Sequence, residues 1–399
     1  AAGKGYGPAL AVLTAVFFMW GFITALNDIL APHLKAVFEL SYTQAMMVQF
    51  TFFSTYFVMS LPSSWVLEKI GYKRSIGVGL AVAGVGALIF VPAAMLPSFG
   101  VFLAGFCILA SGITLLQVAA NPYVAMLGPA RTASSRLNLA QALNSLGTTL
   151  APWVGGWLIL SGSATGEAHS ATAVFSLQQR LQDALSVRLP YVGVAIVLFA
   201  LAAIILAWKL PSLAGARDTA KAGGDRLTRH PRLILGIVAI FLYVGAEVSI
   251  GSFLINYISS PGVGDMSHAQ AAHYVSYFWG AAMVGRFIGA ALMRRVSPAL
   301  LLGVGAVAAA ALITLSILTT GHVSMWSIIA VGLCNSIMFP TIFTLSIEGL
   351  GPLTGRGSGL LIMAIAGGAA VPAIQGLLAD HIGLRYAFIA PALCYLYVL

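Results

Sequence analysis

Twelve long apolar runs dominate this sequence, each close to the ~20 residues that an α-helix needs to cross a lipid bilayer. They cover about 8–34, 43–67, 75–96, 98–126, 137–161 and 189–208, then about 233–258, 269–292, 298–319, 324–348, 358–379 and 385–399. The last run stops at Leu399, short for a span, so the native chain is expected to continue a little further. The first run is too long for a cleavable signal peptide and has no small-residue cleavage site in the right place, so none is expected.

Only 8% of the residues are charged, against roughly 25% in a soluble domain. Such a chain cannot cover a water-facing surface and must put most of its surface in lipid. The net charge of +9 does not point to nucleic acid, because the basic residues sit between the apolar runs and form no stripe with interleaved aromatics. Cys107, Cys334 and Cys394 each lie inside an apolar run, far apart and without a CxxC spacing. They read as small buried hydrophobes.

Basic residues orient the chain. With the N-terminus inside, fifteen of the twenty Lys and Arg fall on the cytoplasmic side. Lys35, Arg180, Arg188 and Arg385 fall outside, and Arg286 lies within a span. The expected location is a bacterial inner membrane, multi-pass, with a cytoplasmic N-terminus. Residues 162–187 read as an external excursion, and 210–231, rich in Gly, Ala, Lys, Arg and Asp, as a flexible cytoplasmic linker. This divides the chain into an N-terminal six-helix half (1–209), the linker (210–231) and a C-terminal six-helix half (232–399).

The halves repeat. Arg136, Gly147, Pro152 and Gly156 recur 220 residues later as Arg356, Gly367, Pro372 and Gly376. Two six-helix halves that both start inside are parallel repeats, the arrangement of major facilitator transporters. The expected fold class is therefore an all-α membrane protein, with twelve transmembrane helices in two parallel repeats.

Only Asp28 and Glu247 are acids well inside spans. Charge at the bilayer centre costs at least about 2.5–3.5 kcal/mol, so such residues face a cavity or a partner. Either is a candidate proton or sodium site; the alternative is a buried acid hydrogen-bonded near a helix end. Helices 4 and 5 are unusually polar. Gln117 and Asn121 share one helix face, and Asn138, Gln141, Asn144 and Ser145 recur at spacings of three and four. Neutral amides in a ladder suit the hydroxyls of a sugar, although helix-to-helix hydrogen bonding would use the same residues. Asn27, beside Asp28, joins these candidates. In the second half, Asn335 is a polar candidate, and Trp279 or Tyr274 could stack on a pyranose ring. Aromatics in spans also serve as anchors or packing. No GxxxxGK[ST], HExxH or GxSxG occurs, so an ATP-driven pump and the common hydrolases are not indicated.

Three stretches resemble the fucose–proton symporter family: Asn27-Asp28-Ile29-Leu30-Ala31-Pro32, Ala119-Ala120-Asn121-Pro122-Tyr123-Val124, and Arg136 through Gly147. Tyr243-Val244-Gly245-Ala246-Glu247-Val248 fits as well, and the glucose/galactose branch is the nearest likeness. The resemblance covers the whole chain. It implies twelve helices and monosaccharide import driven by a cation gradient. Its key positions are an Asp in helix 1, an acid in helix 4 and an Asn in helix 5. Asp28 and Asn144 match the first and third; Gln117 stands at the second and is not an acid. The family's helix 4 carboxylate is tied to proton coupling, so this departure tilts the expectation towards sodium, held in part by Asp28 and Gln117, with protons next. The loop motif between helices 2 and 3 is partly kept in Glu68-Lys69-Ile70-Gly71-Tyr72-Lys73-Arg74. Glu68, Arg74, Arg136 and Arg356 are the candidate gating charges, unless the loops merely set topology.

These features together lead us to expect a secondary transporter, not an enzyme. It would import a glucose- or galactose-like hexose with sodium or protons by alternating access. The alternatives are a fucose–proton symporter, a proton-coupled exporter of drugs or sugars, a non-transporting membrane sugar receptor and a membrane enzyme. The expected partners are the monosaccharide and membrane lipid, with no nucleic acid and no cofactor beyond the coupling cation. The protein is expected to be a monomer.

Overall fold

The computed structural model describes residues 6–38, 42–95, 98–160, 188–208, 211 and 227–399. Every apolar run has its helix. The first six are α1 Tyr6–Phe38, α2 Tyr42–Ile70, α3 Tyr72–Met95, α4 Phe99–Met126, α5 Ala133–Leu160 and α6 Arg188–Ala207. The next three are α7 Pro231–Ser259, α8 His268–Leu292 and α9 Pro298–Leu318. The last three are each interrupted: α10 Gly321–Ile347, α11 Gly351–Ile382 and α12 Leu384–Val398. Among the described residues nine helices are long and apolar enough to cross a membrane, and no strand occurs. Lipid offers no partner to a backbone N–H or C=O, which is why a chain of this composition resolves into helices. The expected external excursion, and most of the expected linker, lie outside the described residues.

By spatial clustering the chain forms two compact units. One gathers Gly3–Ala120 with Leu143–Ser212, the other Asn121–Ala142 with Leu213–Leu399. The end of α4 and the start of α5 thus belong with the second unit. Both units expose large apolar side chains, among them Leu189, Ile196, Leu300, Leu318 and Leu377. In water such a surface would drive aggregation; in a bilayer it faces acyl chains.

The repeat read from sequence has a packing reason. In the first unit a Cβ on Gly147 of α5 would run into the carbonyl oxygen of Phe18 in α1. In the second unit a Cβ on Gly367 of α11 would run into the carbonyl oxygen of Phe241 in α7. Each unit therefore crosses its first and fifth helices at a glycine, where backbones touch. Gly21 and Gly245 complete the two crossings, against the backbones of Asn144 and Gly367.

Candidate substrate and cation site

In the first unit, α1, α2 and α4 bring together Trp20, Tyr56 and Gln117. Gln117 Nε2 donates to Tyr56 Oη at 2.6 Å, and both side chains are buried. Trp20 lies beside Tyr56. The phenol oxygen accepts from Gln117, which leaves its own hydrogen for an acceptor. The rings of Phe17 and Trp20 (5.3 Å apart) and of Phe52 and Tyr56 (4.8 Å) line the same region. Nothing in the sequence marks Trp20 or Tyr56, since aromatics in a span look like packing. Asn144 Nδ2 donates to the Phe17 carbonyl at 2.9 Å, so this amide ties α5 to α1 and keeps its oxygen for other work. Asn27 and Asp28 fall in α1, with side chains outside the described residues.

In the second unit, Gln141 Nε2 donates to Asn121 Oδ1 at 3.3 Å, uniting two of the predicted residues. Among the described residues, the buried Nδ2 of Asn121 has no partner. Asn138 Nδ2 donates to the Ser134 carbonyl at 2.9 Å and reaches Met293 Sδ at 3.3 Å, while its buried Oδ1 likewise finds no partner among the described residues. A buried polar atom left unmade costs about 1–3 kcal/mol, and such atoms are what a hydroxyl-rich solute would satisfy.

The break in α10 organises the rest. This helix runs as Gly321–Asn335 and Met338–Ile347. Pro340 has no N–H to give to the Ser336 carbonyl four residues back. Arg286 of α8 gives its Nε–H instead, at 3.1 Å. The carbonyl of Asn335 ends the first segment, and the Tyr243 hydroxyl of α7 donates to it at 3.0 Å. Tyr395 of α12 donates to Asn335 Oδ1 at 2.6 Å, while the buried Asn335 Nδ2 has no partner among the described residues. One turn along α7 from Tyr243, Glu247 lies within hydrogen-bonding reach of that hydroxyl and within the field of Arg286. Its buried Oε1 has no partner among the described residues. Ser249 donates to Gln375 Oε1 at 2.5 Å, and Gln375 Nε2 also lacks a partner among them. Sequence places Arg286 in a span without giving it a task; holding the break in α10 is that task.

The remaining candidates are placed as follows. Trp279 is 44% exposed and packs beside Gly251. Tyr274 joins Tyr277 and Trp326 in a cluster with centroids 5.8–5.9 Å apart. Tyr277 and Trp326 are exposed, so the cluster presents ring faces that a ligand or lipid can reach. Arg136 donates to the carbonyls of Ala125 (2.6 Å), Pro129 (2.9 Å) and Val124 (3.3 Å), and to the Thr132 hydroxyl. It caps the end of α4. Glu68, Arg74 and Arg356 are exposed at helix ends.

Long apolar helices that bury amides, hydroxyls and an acid among the described residues suit the passage of a polar solute. The class so defined is a multi-pass secondary transporter, not an enzyme. The chain belongs to the Major Facilitator Superfamily, whose sequence pattern it matches over residues 9–371. It is 51% identical over 398 residues to the glucose/galactose transporter of Brucella abortus, covering 99% of this chain and 93% of that one. It is 35% identical to the L-fucose-proton symporter of Escherichia coli K12, covering 98% of this chain and 92% of that one. A crystal structure of the E. coli fucose:proton symporter superposes with a TM-score of 0.91 at 33% identity, covering 99% of this chain and 98% of that one. The expected fold and the resemblance to the fucose–proton symporter family are both borne out.

Proposed function

We propose that this protein imports a glucose- or galactose-like hexose across a bacterial inner membrane, in symport with protons, by alternating access, with its N-terminus in the cytoplasm. The observation that carries the reading is the likeness to the Brucella transporter along nearly the whole chain. The neutral amides and hydroxyls described above support it, being the groups that recognise uncharged hydroxyls. In this reading Gln117, Tyr56, Asn121, Gln141, Asn144 and Asn335 contact sugar, and Asp28 and Glu247 carry the cation. The 220-residue repeat assigns 1–209 and 232–399 to the two halves, joined by 210–231.

Sodium is the second reading, favoured by one residue. Gln117 stands where the fucose–proton symporter family places an acid, and an amide cannot carry a proton as that acid would. Uptake into proteoliposomes, with a sugar panel and with proton and sodium gradients imposed separately, tests both. Hexose accumulation under a proton gradient alone is expected. Absence of hexose exchange under every gradient would refute the sugar assignment, and accumulation under sodium alone would replace the proton.

A further inference from the structure

Tyr243 has one hydroxyl hydrogen and two acceptors within reach. One is the Asn335 carbonyl, at 3.0 Å, at the break in α10. The other is the Glu247 carboxyl, four residues along α7. The hydrogen cannot serve both. While it points at Asn335, a bond between Glu247 and Tyr243 can form only with the carboxyl as donor, that is, with a proton on Glu247. Once ionised, Glu247 becomes a charged acceptor and competes for the hydrogen with a bond about twice as strong as a neutral one. The Asn335 carbonyl then loses a donor that its own helix, ending there, does not replace.

We propose that Tyr243 is the positioning residue through which a proton on Glu247 is read at the break in α10. Protonated Glu247 donates to Tyr243 Oη, Tyr243 donates to the Asn335 carbonyl, and the break is held on one side by Tyr243 and on the other by Arg286. When the proton leaves for water, the Tyr243 hydrogen turns to the carboxylate and the Asn335 side of the break is released. Arg286 keeps the Ser336 side throughout. Asn335 also carries Tyr395 on its side chain, so the release is felt by an amide the proposed function assigns to the sugar. Among the described residues, the titratable and charged groups that act on Glu247 from α7 and the elements packed against it are Tyr243, Arg286 and Tyr395. Arginine stays charged throughout and a tyrosine is neutral at any working pH, so Glu247 is the member of the group that changes charge.

The inference rests on the proton-coupled reading above, but its primary test needs no sugar. Infrared difference spectra between acid and alkaline pH, on the full chain in detergent, should show a carboxylic-acid C=O band that Glu247→Gln removes. Tyr243→Phe should keep that band and shift it, because the bond to the phenol is gone. In proteoliposomes the pH profile of hexose exchange should flatten in both variants. A wild type that exchanges no hexose but shows both band effects would sink the sugar assignment and leave this inference standing. A band untouched by Glu247→Gln, or unmoved by Tyr243→Phe, would overturn it, as would a wild-type pH profile in Tyr243→Phe. If Glu247→Gln does not fold, Glu247→Asp takes its place: it shortens the reach to Tyr243 and should shift the band, and an unshifted band would overturn the inference equally.

Discussion

Arg286 Nε donates at 3.1 Å to the carbonyl of Ser336, the one carbonyl in α10 that Pro340 leaves without an intrahelical N–H. A guanidinium in a span is expensive unless its donors are used, and here a helix break supplies the acceptor. The same relationship explains why α10 can interrupt itself in a low-dielectric setting: its exposed carbonyls are met from α8 and α7.

This makes a stability prediction with an internal control. Arg286→Ala leaves the Ser336 carbonyl unsatisfied and should cost about 1–3 kcal/mol. Pro340→Ala restores an N–H at the right offset, so in the double variant Ser336 has a donor again. The two changes should therefore be less than additive, with the double variant more stable than Arg286→Ala alone. Thermal unfolding in detergent measures all three; strict additivity would mean that Arg286 does not serve the Ser336 carbonyl.

The two glycine crossings predict matched defects. A methyl at Gly147 meets the Phe18 carbonyl, and a methyl at Gly367 meets the Phe241 carbonyl. Backbone cannot yield as a flexible side chain would, so Gly147→Ala and Gly367→Ala should each cost about 1–3 kcal/mol or more, the range for overpacking a close contact. Size-exclusion profiles after graded heating would show it. A variant as stable as wild type at either position would mean that the helices cross further apart there.

Much of this architecture is legible in the sequence, because the features that encode it are local. An apolar run announces a span whatever it packs against, and the spacing between Gly147 and Gly367 announces the repeat. The sites are legible in part. The amides of α5 show themselves by helical spacing, and Gln141 does meet Asn121. What stays hidden is contact between residues far apart in the chain. Nothing in the neighbourhood of Tyr243 names Asn335 as its partner, and Tyr56 looks like packing until Gln117 is seen to reach it. Likewise, the sequence does not announce that Tyr274 joins Tyr277 and Trp326 in one ring cluster.

The α5 amides should separate in their effects. Gln141 bonds another candidate side chain, whereas Asn144 holds the α1 backbone. Gln141→Ala should weaken hexose binding by about 5- to 150-fold, the equivalent of one buried hydrogen bond at about 1–3 kcal/mol, with little change in melting temperature. Asn144→Ala should lower both affinity and melting temperature. Calorimetric titration beside thermal unfolding checks the split; equal melting losses in the two variants would assign Gln141 to structure as well.

The last prediction concerns Gln117 and the choice of cation. Its amide nitrogen is spent on Tyr56 at 2.6 Å, which turns the carbonyl end of the amide away from that phenol and makes it the end available to a ligand. A carbonyl oxygen can accept from a sugar hydroxyl or lie against a cation, but it cannot take up a transferable proton at working pH. If protons drive transport, the load falls on Asp28 and Glu247, and sodium at fixed pH and ionic strength should leave hexose affinity unchanged. Asp28→Asn should then abolish accumulation. If Gln117 serves sodium instead, sodium must tighten hexose binding, and hexose must tighten sodium binding by the same factor, since coupling free energy is reciprocal. Gln117→Glu distinguishes the two from the protein side. It restores the acid found in the fucose–proton symporter family and adds a titrating group, so hexose binding should acquire a further pH-dependent step beside the one wild type shows. Hexose titrations of wild type and Gln117→Glu across pH, each with and without sodium, decide the matter. A gain of about tenfold in wild-type hexose affinity on adding sodium, matched by an equal gain in sodium affinity on adding hexose, corresponds to a coupling of about 1.4 kcal/mol and would replace the proton with sodium.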